Sequence, residues 1–325
     1  MTTSSPQFHE PPDLKAELAK LLRQIPPGQV TTFGDLARAL GDIKAAKWIA
    51  SALPEPSPTE LPESRRVVRQ TGEISPAGGT DPAQRIEQLR SAGVPMRDNR
   101  VRLDECRFRD FASAQPLRQL ARQQELVRPK VSIESMPEMP DVVAGIDVSY
   151  QSDGTAVAAY VEMAADSSEP LCVVTAKVPA PLPYITGYLA FREIPAHLAA
   201  IKKARQRGDL APLLLVDGNG ILHPRRCGVA SQLGVVLDHP TVGVGKKLLC
   251  GKVGSEGTIT DAEGEIGRIV KPTPASKPLY VSPGHCCDLA DATAVVRKFF
   301  RGHRLPEPLY LADRLSRKVA RESSS

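Results

Sequence analysis

Residues 142–150 read VVAGIDVSY, and residues 213–217 read LLLVD. Both are short apolar runs of strand length, and each carries one aspartate: Asp147 inside the first, Asp217 at the carboxyl end of the second. AVAAYVEM (156–163), LCVVTAKV (171–178) and TVGVG (241–245) read as further strands. Helical patterns lie between and after them: FREIPAHLAAIKKARQRG (191–208), GVASQLGVVLD (228–238) and DATAVVRKFFRG (291–302). Strands first in hairpin succession, then alternating with helices, predict a mixed α/β sheet. A carboxylate buried at a strand end costs several kcal/mol unless something neutralises it, and a hard divalent cation is a common solution. Singly, Asp147, Asp217 or Glu193 fits an N-cap or a buried salt bridge equally well. Together, and with His285 in SPGH and Lys246 in GVGKK, they favour a metal site that hydrolyses a phosphodiester.

Towards the N-terminus the pattern changes. Residues 1–12 are polar and proline-bearing and read as a disordered lead. LKAELAKLLRQI (14–25) has the apolar spacing of an amphipathic helix, stopped by Pro26-Pro27-Gly28. Thr32 with Asp35 three residues on predicts a capping box, Gly41 a stop, and Asp42 the cap of a second short helix. Two short helices joined by a Gly-Asp turn read as a helix-turn-helix. PEPSPTELPES (54–64) is a loop, and VVRQTGEIS (67–75) a small hairpin or wing turning at Gly72. Helices follow over 81–93 and 116–126, then a linker-like approach, IESMPEMPD.

With 325 residues the chain has room for two domains, and 41% hydrophobic with 24% charged residues describes a globular protein. Nothing approaches the length of a membrane span, and the N-terminal residues lack the basic and apolar regions of a secretory signal. Six scattered cysteines, none in a CxxC pair, predict reduced thiols and a cytoplasmic location. A net charge of +5 permits a nucleic-acid partner without demanding one, and aromatics at 4% argue against a stacking platform for single strands.

GIDVSY, PYITGYLAFRE, LLLVDGNGILHPRRCGVASQLGV, PTVGVGKKLLCG, PLYVSPGH and RLPEPLYLADRLSR resemble endonuclease V in order and spacing over roughly residues 115–318. The resemblance implies a ribonuclease H-like mixed-sheet fold carrying carboxylates for Mg2+, with Mn2+ as a substitute. It implies recognition of deaminated purine and a nick at the second phosphodiester on its 3′ side, leaving 3′-hydroxyl and 5′-phosphate ends. Carried over, Asp147, Glu193 and Asp217 are the metal carboxylates, His285 the active-site histidine, and Lys246 the neighbour of the scissile phosphate. Pro183, Tyr184 and Ile185 become a wedge filling the gap left by a flipped base. Gly187, Leu189, Gly218, Gly220 and Gly245, with His223, become the base pocket, its glycines allowing readout by backbone amides. The chain departs from the family pattern at Thr186, Pro212, Asn219 and Gly245, which bears on substrate range and metal preference.

IPPGQVTTFGDLARALGDIKAAKWIASAL and SRRVVRQTGEIS resemble the C-terminal domain of O6-alkylguanine-DNA alkyltransferases over roughly residues 13–111. Ser64 stands at the position of the family's nucleophilic cysteine and Arg65 at that of its histidine. The closer resemblance is therefore to alkyltransferase-like proteins, which bind the lesion without repairing it. Thr32, Phe33, Lys47, Ser64, Arg65 and Arg66 are the implied DNA-binding positions, with Phe33 replacing a tyrosine and Lys47 an intercalating arginine; Trp48 reads as core.

The expected organisation is a mainly α winged helix-turn-helix domain over residues 13–113, joined by a few flexible residues to an α/β nuclease domain over 114–320. The expected function is a DNA repair endonuclease acting on DNA that contains deaminated or alkylated bases, with no membrane partner. An inosine-specific endoribonuclease acting on inosine-containing RNA and a non-catalytic protein that marks lesions are the alternatives.

Overall fold

The computed structural model describes residues 11–53, 62–74 and 81–322. Most of the expected disordered lead (1–10) and of the 54–64 loop (54–61) lies outside the described residues. The chain forms two compact units. One comprises Pro11–Ala121 with Leu182–Thr186, the other Arg122–Pro181 and Gly187–Ser325.

In the smaller unit, α1 (Leu14–Leu22) starts at Asp13, whose carboxylate accepts from the N–H groups of Lys15 and Ala16, and it buries Leu14, Leu18, Leu21 and Leu22. Strand β1 (Thr31–Thr32) leads into α2 (Phe33–Ala39) through a complete capping box. The Thr32 side chain accepts from Asp35 N–H, and the Asp35 carboxylate accepts in return from Thr32 N–H. Gly41, at φ +104°, ends that segment, where a Cβ would lie 2.7 Å from the Arg118 nitrogen. A single 3-10 turn capped by Asp42 then opens α3 (Ala46–Ala52), which buries Trp48 and Ile49.

The wing differs from its sequence reading. Gly72 does turn the chain at φ +76°, with Arg69 N–H donating to Glu73 O, but β2 (Val67–Val68) pairs in parallel with β1 instead of forming a hairpin. After α4 (Pro82–Ser91), the hairpin of this unit is β3 (Met96–Arg97) with β4 (Arg100–Val101). Asp98 and Asn99 both sit at positive φ between them, as a tight hairpin turn requires. The one-turn helix α5 (Leu103–Cys106) and then α6 (Pro116–Val127) follow. The division between the units falls inside α6, where Leu117 and Leu120 are buried.

The larger unit opens with an antiparallel meander, β5 (Val142–Tyr150), β6 (Thr155–Ala164) and β7 (Cys172–Pro179), followed by α7 (Leu189–Arg205). Next come β8 (Leu214–Asp217), α8 (Val229–Leu237) and β9 (Thr241–Gly245). Short strands β10 (Lys252–Val253), β11 (Thr258–Asp261) and β12 (Gly264–Val270) precede β13 (Leu279–His285), α9 (Leu289–Lys298) and α10 (Glu307–Glu322). The nine strands lie in the order β10-β11-β12-β13-β9-β8-β5-β6-β7; only β5–β8 and β8–β9 run parallel. Side-chain alternation divides the core. Ala144, Ile146, Leu214 and Val216 face α7 and α8, while Val143, Leu213 and Leu215 face α9 and the start of α10. Gly145 lies on the second face, where a Cβ would come within 2.3 Å of Leu309 N and Pro308 C; its missing side chain lets α10 press on β5.

The smaller unit also contains an ionic lock. Arg107 donates from Nε and Nη2 to the two carboxylate oxygens of Asp35 at 2.8 and 2.9 Å, and both side chains are largely buried. Burial alone would raise the Asp35 pKa, but the hydrogen bonds from Arg107 and Thr32 outweigh it and hold the group below its ordinary value. A carboxylate with a depressed folded-state pKa stabilises the fold above its unfolded pKa, and that contribution is lost as pH falls through the lower folded value. Asp35→Asn is therefore expected to cost roughly 1–3 kcal/mol at pH 7. In thermal unfolding followed by circular dichroism, the gap between variant and parent should shrink below about pH 4.

Candidate carboxylate centre

Strand register makes the centre. Ile146 pairs with Val216 across the parallel β5–β8 ladder, so the next residue on each strand, Asp147 and Asp217, falls at the same level and on the same face. That is the face α10 covers. Its inward stripe of Leu309, Ala312, Asp313, Ser316 and Ala320 delivers a third carboxylate. Oxygens of Asp147, Asp217 and Asp313 lie within 4.8 Å of one another, a spacing that fits one oxygen-liganded divalent ion. Asp313 is the functional residue missed in the sequence. Its signal was an aspartate on the buried face of an otherwise apolar helical stripe in RLPEPLYLADRLSR.

Lys246, just past the end of β9, donates to both Asp217 and Asp313 at 2.5 Å, and Ser316 Oγ donates to Asp147 at 2.5 Å. The ammonium group thus sits where three carboxylates demand positive charge, which is the test the residue set meets for a cation. Burial, then the charge of Asp217, pushes Asp147 well above the usual carboxylate range. Burial works to lower Lys246, but Asp217 and Asp313 outweigh it and raise its pKa.

Glu193 stands beside the triad, not within it. It comes from α7, on the opposite layer of the sheet, and Tyr150 OH donates to its Oε1 at 3.2 Å. Burial, followed by the charges of Asp147 and Asp217, drives its pKa well up, which places it in their field.

His285 is not brought to this centre. Strand β13 runs antiparallel to β9, pairing Tyr280 with Gly245 and His285 with Thr241, so the histidine lies at the far end of the strand, about 16 Å along it. There its Nδ1 accepts from Ser132 N–H. The motif identified a strand-end histidine, but strand direction, which PLYVSPGH does not encode, decided which end.

The residues expected to form a base pocket are largely committed to one another. Arg225 N–H donates to His223 Nδ1, so the ring carries its proton on Nε2, 3.2 Å from Gly187 O. Arg225 also donates to Gln124 Oε1 and Gly187 O, and Arg226 pairs with Asp261, so neither arginine is a free surface charge. Gly218 N–H bonds Val244 O and Gly220 N–H bonds Ser282 Oγ, which corrects the expectation that these amides read a base edge. The glycines answer to packing instead. A Cβ at Gly220 would meet Pro283 O at 1.8 Å, one at Gly218 would meet the Val229 side chain at 2.3 Å, and one at Gly245 would meet Asn219 Oδ1 at 2.6 Å. Leu189 opens α7 close to Gly218, and Asn219 Oδ1 is buried without a hydrogen-bond partner among the described residues.

In the smaller unit, Tyr184 of the expected wedge is 63% exposed, Pro183 is half-buried, and Ile185 is buried and unable to act as a tip. Thr32 is buried as the cap of α2, which removes it from any surface contact. Phe33 is half-buried. Ile43, Lys47 and Ala50, spaced as one helical face, are exposed. Ser64 and Arg65 lie in a 3-10 turn whose carbonyls are held by the buried Arg85, and Arg66 donates to Ile25 O. Burial pushes Arg85 down to about 10. All six cysteines are free, and among the described residues no helix is long and apolar enough to cross a membrane.

Comparison with known proteins matches residues 125–314 to the family model "Endonuclease V" and residues 13–94 to "6-O-methylguanine DNA methyltransferase, DNA binding domain". A bifunctional methyltransferase/endonuclease of Picrophilus torridus is 34% identical over 301 residues, covering 92% of this chain and 94% of that protein. An endonuclease V of Xanthomonas campestris is 38% identical over 213 residues, 63% of this chain and 87% of its own. Among solved structures, Ciona intestinalis endonuclease V in complex with DNA containing an inosine followed by a ribo-adenosine superposes with a TM-score of 0.59. It is 30% identical and covers 65% of this chain and 99% of that one.

Removing the ammonium group leaves Arg317, which donates to Asp313 Oδ1 at 2.9 Å, as the remaining cation on the cluster and leaves Asp217 without its partner. Lys246→Met is expected to destabilise the metal-free protein by roughly 3–5 kcal/mol, as broken buried pairs do. Differential scanning calorimetry with and without added Mg2+ checks this, the variant gaining more Tm from the ion than the parent gains.

Proposed function

Because this chain belongs to the endonuclease V family, we propose that it is a metal-dependent DNA repair endonuclease. It nicks the second phosphodiester 3′ to deoxyinosine and leaves 3′-hydroxyl and 5′-phosphate ends. The observation that carries the reading is the Asp147, Asp217 and Asp313 cluster with Lys246 at its mouth. Those three carboxylates would hold Mg2+, with Mn2+ as a substitute. When bound, the ion supplies Lewis-acid polarisation of the phosphate and a lowered pKa for attacking water.

The chain's own groups do the rest. Ser316 fixes the Asp147 carboxylate by its hydroxyl. Lys246 carries the positive charge that a scissile phosphate needs, and it turns from the carboxylates to the phosphate once a cation satisfies them. Tyr184 is the exposed aromatic available to fill the place of a flipped base. Free cysteines throughout agree with a reducing, cytoplasmic setting.

The smaller unit serves as a reader of O6-alkylguanine without alkyl transfer. Ser64 has Arg65 beside it in place of a base, and a serine hydroxyl with no base to activate it does not displace an alkyl group. Its contact face is Ile43, Lys47 and Ala50. An inosine-directed ribonuclease is the second reading, favoured by the DNA bound to the Ciona relative, in which a ribo-adenosine follows the inosine.

One assay separates these readings. Nicking is measured on duplexes carrying one hypoxanthine, one O6-methylguanine or no lesion, and on single-stranded DNA and RNA carrying inosine, with Mg2+ varied. Mg2+-dependent nicking of the hypoxanthine duplex is expected, and Asp147→Ala or Asp313→Ala should slow it at least about 100-fold. Unchanged rates in both variants would sink the reading, and a preference for RNA would select the second. Lys47→Glu is expected to weaken binding to the O6-methylguanine duplex several-fold while nicking at hypoxanthine stays unchanged.

A further inference from the structure

One buried polar side chain near the carboxylate centre has no function in the account above. His197 on α7 is completely buried, and neither ring nitrogen has a hydrogen-bond partner among the described residues. A buried polar group left unpaired costs about 1–3 kcal/mol, so its presence calls for a role. It lies one helical turn after Glu193, and its Nε2 is 3.9 Å from Glu193 Oε2. Helical side chains lean towards the N-terminus, which swings the imidazole over the glutamate. Glu193 Oε1 already accepts from Tyr150 OH, so Oε2 is the oxygen facing His197.

We propose that His197 is a positioning residue for Glu193: its Nε2–H donates to Glu193 Oε2 and, with Tyr150 on the other oxygen, fixes the carboxylate towards Asp147 and Asp217. A closure of about 1 Å brings the pair to hydrogen-bond distance. The ring performs this as a neutral donor, because burial pushes its pKa down to about 3. A leucine in the same place would fill the space without holding the oxygen. Glu193 comes from a different layer than the triad, so its aim depends on such partners, whereas the aspartates are fixed by strand register and by α10.

The inference rests on the metal-dependent reading, and its test separates the two. Ring nitrogen spectra of 15N-histidine-labelled full-length protein, with and without Mg2+, should show His197 as one neutral tautomer protonated at Nε2, shifted as a donor. A proton on Nδ1 would overturn the proposal whatever the metal does. His197→Leu is expected to keep the Tm of the metal-free protein at or above that of the parent. It should weaken Mg2+ binding in calorimetry and lower kcat roughly ten-fold, with KM for the duplex unchanged. His197→Gln, which returns a donor near the same point, should recover most of both. Parent-like Mg2+ affinity and kcat in His197→Leu, or equal loss in the two variants, would reduce His197 to a packing residue. A parent protein that binds no Mg2+ would instead remove the metal reading, leaving the tautomer spectrum to decide the hydrogen bond.

Discussion

The larger unit is organised around a single electrostatic constraint: three carboxylates held within 4.8 Å of each other, two on adjacent central strands of the sheet and one on the helix that covers them. Like charges at that spacing repel by several kcal/mol in a partly buried setting, so the arrangement needs a cation or a proton among them. Lys246 is that cation within the chain, and its placement just after β9 puts it at the same end of the sheet as Asp217. Burial first, and then the charges of the neighbouring carboxylates, raises the pKa of Asp147 and that of Glu193. A lysine is a poor permanent solution, because one ammonium offset by three carboxylates leaves net negative charge. A divalent ion would balance it better.

Backbone geometry imposes that arrangement before any side-chain contact is made. Parallel pairing of Ile146 with Val216 sets Asp147 and Asp217 level, and alternation sends both to one face. Gly145, two residues before Asp147 on that same face, admits the α10 backbone where any other residue would exclude it. Asp313 and Ser316 then arrive one helical turn apart, over the two aspartates. A side chain at position 145 would push the helix away and dissolve the triad without touching a single ligand.

How much of this was legible follows from which interactions are local. Strand length, apolar content and capping boxes are local, and the strands over 142–150, 156–163 and 241–245 and the helices started by Asp13 and Thr32 all formed where the residues indicated. So did the two central aspartates, since a charge in an apolar strand is visible without a partner. Relations between segments were not legible. His285 was assigned to the wrong end of the sheet because strand direction is a property of the fold, and the wing pairs with β1 rather than with itself for the same reason. Asp313 escaped notice because its significance comes entirely from facing the two strand aspartates.

The glycines of the 218–220 loop show how a correct residue choice can rest on the wrong cause. They were expected to free backbone amides for a base edge, yet those amides are bonded to Val244 and Ser282, and the missing side chains make room for Pro283 and Val229. The loop that follows Asp217 is thus packed tightly against β13 and α8. Asn219, between two glycines whose amides are committed, carries a buried carbonyl oxygen without a partner among the described residues. An acceptor held in that way costs about 1–3 kcal/mol, which the packing of the loop has to offset.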